Sequence, residues 1–151
     1  MARSPLQHGT WLAICDGARA LLVENVGDRQ FPKLETRAHF AQENPPAREL
    51  ASSGPGRVFS SVGKRRGAVD QTDFHEQAEH DFLRKFADEM ARAVKAHDIR
   101  SLYLVAPAKA LGIMRSLLPD TVHRVLAGEL DRDYVKMPLH EVERHLKARE
   151  P

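Results

Sequence analysis

The chain has 151 residues, a length that suits one domain, and is 42% hydrophobic and 29% charged, as ordinary soluble globular proteins are. A net charge of +2 excludes a polycation, and a single cysteine, Cys15, excludes an internal disulfide framework and any multi-cysteine zinc site. No apolar stretch approaches the roughly 20 residues of a bilayer span, and residues 1–10 lack the apolar run of a secretory signal, so a cytoplasmic protein is expected.

After a tail over residues 1–9, two apolar segments, Thr10–Cys15 and Ala20–Val26, flank Asp16-Gly17-Ala18-Arg19. Asp and Gly supply turn chemistry there, and the pattern predicts a β-hairpin. A third strand is predicted over Lys33–Phe40, where Leu34, Thr36, Ala38 and Phe40 alternate with charged or polar neighbours. Residues 42–72 lose all periodicity and carry Pro45-Pro46, Gly54-Pro55-Gly56, Gly63 and Gly67, so they read as one long loop.

A helix is predicted over Phe74–Ala96, because Phe74, Ala78, Phe82, Phe86, Met90 and Val94 recur every fourth residue. Asp73 reads as its N-cap, with Glu76 completing a variant capping box. Ile99–Ala106 suits a central strand, and Phe82, Phe86 and Met90 are expected to pack on Leu102, Leu104 and Val105. A short helix over Lys109–Leu118, a strand over Val122–Leu126 and a last helix over Leu139–Lys147 complete the chain. The order is β-β-β-α-β-α-β-α: a single α/β domain over residues 10–147, with a mixed β-sheet and helices.

The long loop carries Arg57, Lys64, Arg65 and Arg66 and no acid between Ser52 and Val69, whereas Asp70–Met90 holds seven acids against Arg84 and Lys85. Arginines on a Gly/Ser-rich loop suit phosphate, since guanidinium forks and backbone amides both donate to anions. The competing reading is a solvated loop balanced by the acidic helix. Without a partner, Ser60–Gly67 is expected to be mobile or to rest on acidic residues or a neighbouring subunit. Asp16, Arg19 and Arg115 are weaker candidates near predicted strand ends.

Enzymatic patterns are incomplete. His75 and His80 are five apart, about 140° round a helix, so they miss the spacing of an HExxH zinc site. Glu76–His80 and His75–Glu79 read instead as surface pairs. The element order is ribonuclease-H-like, and Asp16 with Glu76 or Glu79 would offer two carboxylates. The place of a third acid holds Ala106-Pro107-Ala108, which leaves a two-metal clamp incomplete. Cys15 lies in an apolar run and reads as inert, and no GxSxG, GxGxxG or Walker motif occurs. No catalytic residue, metal or cofactor is expected.

Trp11, Asp16-Gly17-Ala18-Arg19-Ala20, Gly56-Arg57-Val58-Phe59, Asp73-Phe74-His75-Glu76 and the run from Leu104 to Arg115 occur in that order. Together they resemble the bacterial host attachment protein family, across about residues 10–147. That family is similar to the middle domain of archaeo-eukaryotic class I peptide-chain release factors, which has a β-β-β-α-β-α-β order. In those factors a Gly-Gly-Gln loop before the long helix reaches the peptidyl-transferase centre. Here the corresponding stretch runs from Gly63 to Gln71 without Gly-Gly-Gln. The resemblance implies a non-catalytic module that contacts RNA or the ribosome through Arg57, Lys64, Arg65 and Arg66. The alternative is a protein-interaction domain that influences attachment to host cells without touching nucleic acid.

Overall fold

The computed structural model describes residues 4–42 and 60–149, with the backbone alone over residues 60–72. Five strands form one sheet, in the order β3-β2-β1-β4-β5. They are β1 (Trp11–Cys15), β2 (Arg19–Asn25), β3 (Leu34–Ala41), β4 (Leu102–Ala106) and β5 (Leu126–Asp131). Helices α1 (Ser60–Ala96), α2 (Ala108–Leu117), α3 (Asp120–His123) and α4 (Leu139–Arg149) are the described helices.

β1 and β2 pair antiparallel, from Trp11 opposite Glu24 to Cys15 opposite Ala20. The turn between them is held by Asp16, whose Oδ1 accepts from the amides of Ala18 and Arg19, both at 2.8 Å. β3 continues the antiparallel side, with a register shift at Leu22/Val23 that leaves Arg37 as an extra residue on β3. β4 pairs parallel to β1, and β5 parallel to β4, so the sheet is mixed.

Period-two alternation sends the sheet's apolar side chains to two separate cores. On one face Trp11, Ala13, Cys15, Leu22, Leu102 and Leu104 meet residues of α1, α2 and α3. Phe82, Phe86 and Met90 are buried there, as the four-residue stripe predicts. Val105 is the exception: one residue out of phase with Leu104, it points to the opposite face. That face is covered by α4 through Val142 and Leu146, together with Tyr134, Val135 and Leu6.

Residues 4–9 belong to this packed body and are no free tail. Leu6 is fully buried among Leu12, Ile14 and Val23. Asn25, also fully buried, ties it down: its Nδ2 donates to the Leu6 carbonyl. The Asn25 Oδ1 accepts from the amides of Gly27 (3.0 Å) and Lys33 (2.9 Å), closing the β2–β3 connection.

Three elements depart from the sequence pattern. α1 starts at Ser60, so Asp73 lies inside the helix and caps nothing, and residues 60–72 are helical rather than loop. At about 1.5 Å per residue, its 37 residues far outrun the five-residue strands beneath it. Phe74 accordingly stays 49% exposed and leaves the core stripe. The fifth strand falls at Leu126–Asp131; Val122, expected in a strand, is buried on the one-turn helix α3. Pro119 ends the preceding turn and permits that helix, while Gly128, Glu129 and Asp131 give the true strand an unstrandlike composition. The order of the described elements is therefore β-β-β-α-β-α-α-β-α.

Candidate functional site

In open α/β sheets the crevice at the carboxyl ends of parallel strands, where strand order reverses, is the usual place for a ligand. Here that place lies between β1 and β4, which the chain leaves in opposite directions: to β2 and β3 on one side, to β5 on the other. The Asp16–Arg19 turn follows β1, and Lys109 opens α2 after β4.

Side chains of α1 and α2 reach over this crevice. Glu79 of α1 lies over Gly17, so near that an added Cβ would stand 2.8 Å from its Cγ and Cδ. Its Oε1 also meets the Lys109 Nζ at 3.4 Å. Gln42 Nε2 donates to the Gly17 carbonyl at 2.9 Å and fixes the end of β3 against the same turn. Neither Lys109 nor Gln42 stands out in the sequence as a partner here, because both pairings span distant elements.

The sequence-predicted candidates separate. Asp16 is engaged in its own turn, one oxygen serving two amides. Arg115, on α2, is held by Glu129 of β5 in a forked pair, with Nη2 at 2.7 Å and Nε at 2.9 Å from Oε1. That carboxylate raises the guanidinium pKa and takes up the Nε and one Nη2 N–H, leaving the remaining donors of this exposed side chain unassigned. Arg19 is exposed at the first position of β2 and joins none of the described ion pairs.

Among the described residues, neither an activated nucleophile nor a metal-holding group is brought together. Burial, and then the neighbouring Asp16 carboxylate, push the Cys15 thiol up to about 12, so it is no nucleophile near neutrality. Among the described residues no three His, Cys, Asp or Glu side chains are grouped to hold a metal ion. The expected surface pairs of α1 are also replaced: Glu79 goes to Lys109, and His80 Nδ1 faces the Arg84 Nη2 at 3.4 Å. No helix among the described residues is long and apolar enough to cross a membrane.

Against this geometry, the chain matches the model of bacterial archaeo-eukaryotic release factor family 12 over residues 9–146. It belongs to that family. No curated protein matches it. In this family 12 chain Lys64, Arg65 and Arg66 lie in the N-terminal part of α1, a helix with no acid in its first turn. Their side chains, and the whole of Arg57, lie outside the described residues. Gln71 is also within α1, on helical backbone, where a Gly-Gly-Gln-type loop tip is absent.

Proposed function

We propose that this family 12 protein is a non-catalytic module of the cytoplasm that contacts RNA or the ribosome, with Arg57, Lys64, Arg65 and Arg66 as the contacting residues. The family match over residues 9–146 carries this reading. The lysine and arginines at the start of α1 agree with it, since a helix N-terminus and a basic cluster both favour phosphate. The ribonuclease-H-like, release-factor middle-domain-like form of the sheet belongs to the same reading. Peptide release is left out of it, because Gln71 lies on helical backbone and no Gly-Gly-Gln stands before the helix.

The test is binding to purified ribosomes and to a short unstructured RNA, by co-sedimentation and filter binding, at about 50 and 200 mM salt. Four phosphate contacts make affinity fall about a hundredfold across that interval. Replacing all four basic residues by alanine should flatten the salt dependence and weaken binding at low salt. Absence of binding to either probe at low salt overturns the proposal. Full binding by the fourfold variant overturns the assignment to these residues.

A further inference from the structure

β3 is the terminal strand of the sheet, and α1 covers more ground than the sheet beneath it fills. Between them lies a groove of about 620 Å³. Its helix side is one α1 face, in which Ala78, Phe82, Lys85 and Glu89 recur at helical spacing. Its strand side is His39 to Gln42. Phe40 and Phe86, with ring centroids 5.7 Å apart, join the two walls at the floor.

Among the described residues, no strand pairs with the outward side of β3 along this groove. The Gln42 amide donates inward to the Ala18 carbonyl at 2.8 Å, and Phe40 stands opposite Ala20 in the same phase. Strand alternation therefore turns the amide and carbonyl groups of His39 and Ala41 outward, where no described strand meets them. The bulge at Arg37 lies in the other half of β3, so the groove half is regular.

Charge on the rim is uneven in availability. Asp81 is bonded to Gln77 at 3.0 Å, and Glu89 is paired with Arg92 at 3.0 Å. Lys85 joins none of the described ion pairs, and Arg84 meets only the ring of His80. The rim's acids are engaged within the helix while its cations are open.

We propose that this edge docks an extended segment of another protein, which adds as a sixth strand beside β3. Its backbone bonds to His39 and Ala41, one apolar side chain rests on Phe40 and Phe82, and an acidic residue two positions along meets Lys85 and Arg84. This is strand addition, in which main-chain bonds supply affinity and a pocket for alternate side chains supplies selectivity. It stands apart from the RNA reading, which rests on other residues.

The experiment is selection of displayed random peptides on the full chain, then anisotropy titration of the enriched peptide with wild type and variants. Enriched sequences should carry an apolar residue with an acidic residue two positions along, on the same strand face. Ala41→Pro removes an outward amide that β2 does not use and should weaken binding at least about tenfold. Lys85→Glu, at an exposed position, should do the same and covers the case in which the proline variant does not fold. Circular dichroism checks both folds. Equal affinity for wild type, Ala41→Pro and Lys85→Glu overturns the proposal, as does enrichment of no peptide. A single-stranded oligonucleotide that fills the groove, losing affinity in Lys85→Glu but not in Ala41→Pro, overturns it in favour of nucleic acid. A dimer abolished by Ala41→Pro overturns it in favour of a second copy.

Discussion

Asn25 offers the sharpest test of how the N-terminal segment and the β2–β3 connection are held to the sheet. Alanine there deletes three side-chain hydrogen bonds: the one donated to the Leu6 carbonyl and those accepted from Gly27 and Lys33. At about 1 kcal/mol each these amount to roughly 3 kcal/mol. The Leu6 carbonyl, with Leu6 itself fully buried, adds a penalty for an acceptor left dry, whereas Gly27 and Lys33 lie closer to solvent and recover part of theirs. The expected loss is about 3–4 kcal/mol, read from urea denaturation followed by circular dichroism with an unchanged m-value. Hydrogen exchange should show the Gly27 and Lys33 amides deprotected in Asn25→Ala. Asn25→Asp separates the roles: it keeps both amides bonded yet sets a carboxylate oxygen against the Leu6 carbonyl, so stability falls with protection at Gly27 and Lys33 retained. A loss under about 0.5 kcal/mol for the alanine variant refutes the reasoning.

Phe86→Ala empties the centre of the α1 face, where Phe86 is buried against Phe40 and Met90, and should cost about 3–5 kcal/mol in the same denaturation assay. Gly27→Ala places a Cβ 2.2 Å from the Phe31 carbonyl oxygen and 2.7 Å from the Lys33 nitrogen, both backbone atoms. It should cost about 1–3 kcal/mol as an overpacked turn, whereas Gly17→Ala, which meets only the flexible end of Glu79, should cost less. Cys15 holds its proton up to about 12 in the folded chain against 9.0 ordinarily, so the folded state binds the proton through that interval and the unfolded state does not. Stability is thus complete below pH 9 and falls as pH rises to about 12, by roughly 4 kcal/mol at most. Cys15→Ala should flatten that alkaline decline in denaturation curves, and an unchanged pH profile would refute the assignment.

The strands of the first half were legible because their period is written in single residues. Trp11–Cys15 and Arg19–Asn25 are buried on both faces and read as apolar runs, and the observed bounds lie within a residue of those expected. The packed half of α1 was legible through Phe82, Phe86 and Met90 for the same reason. Its first turns were not, since Gly63 and Gly67 are poor helix residues. β5 escaped because Glu129 and Asp131 stand on an edge strand whose polar side chains pair outward, Glu129 with Arg115. Leu6 escaped because nothing near it in sequence repeats; its burial depends on Asn25, a partner 19 positions away. At the crevice, Asp16 and Arg115 were visible as charges, but their partners Ala18, Arg19 and Glu129 decide what they do, and those are matters of geometry.

The two layers that sandwich the sheet differ in how firmly they are seated. On one side three helices share a core with long, interleaved side chains. On the other, α4 buries only Val142 and Leu146 completely, and its remaining anchors sit near the rim: Glu143 accepting from the Leu34 amide at 2.8 Å, and Lys147 reaching the Gln30 carbonyl. Few buried contacts and solvent-facing bonds are the marks of a segment that opens before the rest. The expected consequence is staged opening: amides of α4 should exchange before those of the sheet and its three-helix cover, with Ile14, Tyr103 and Val105 bared first.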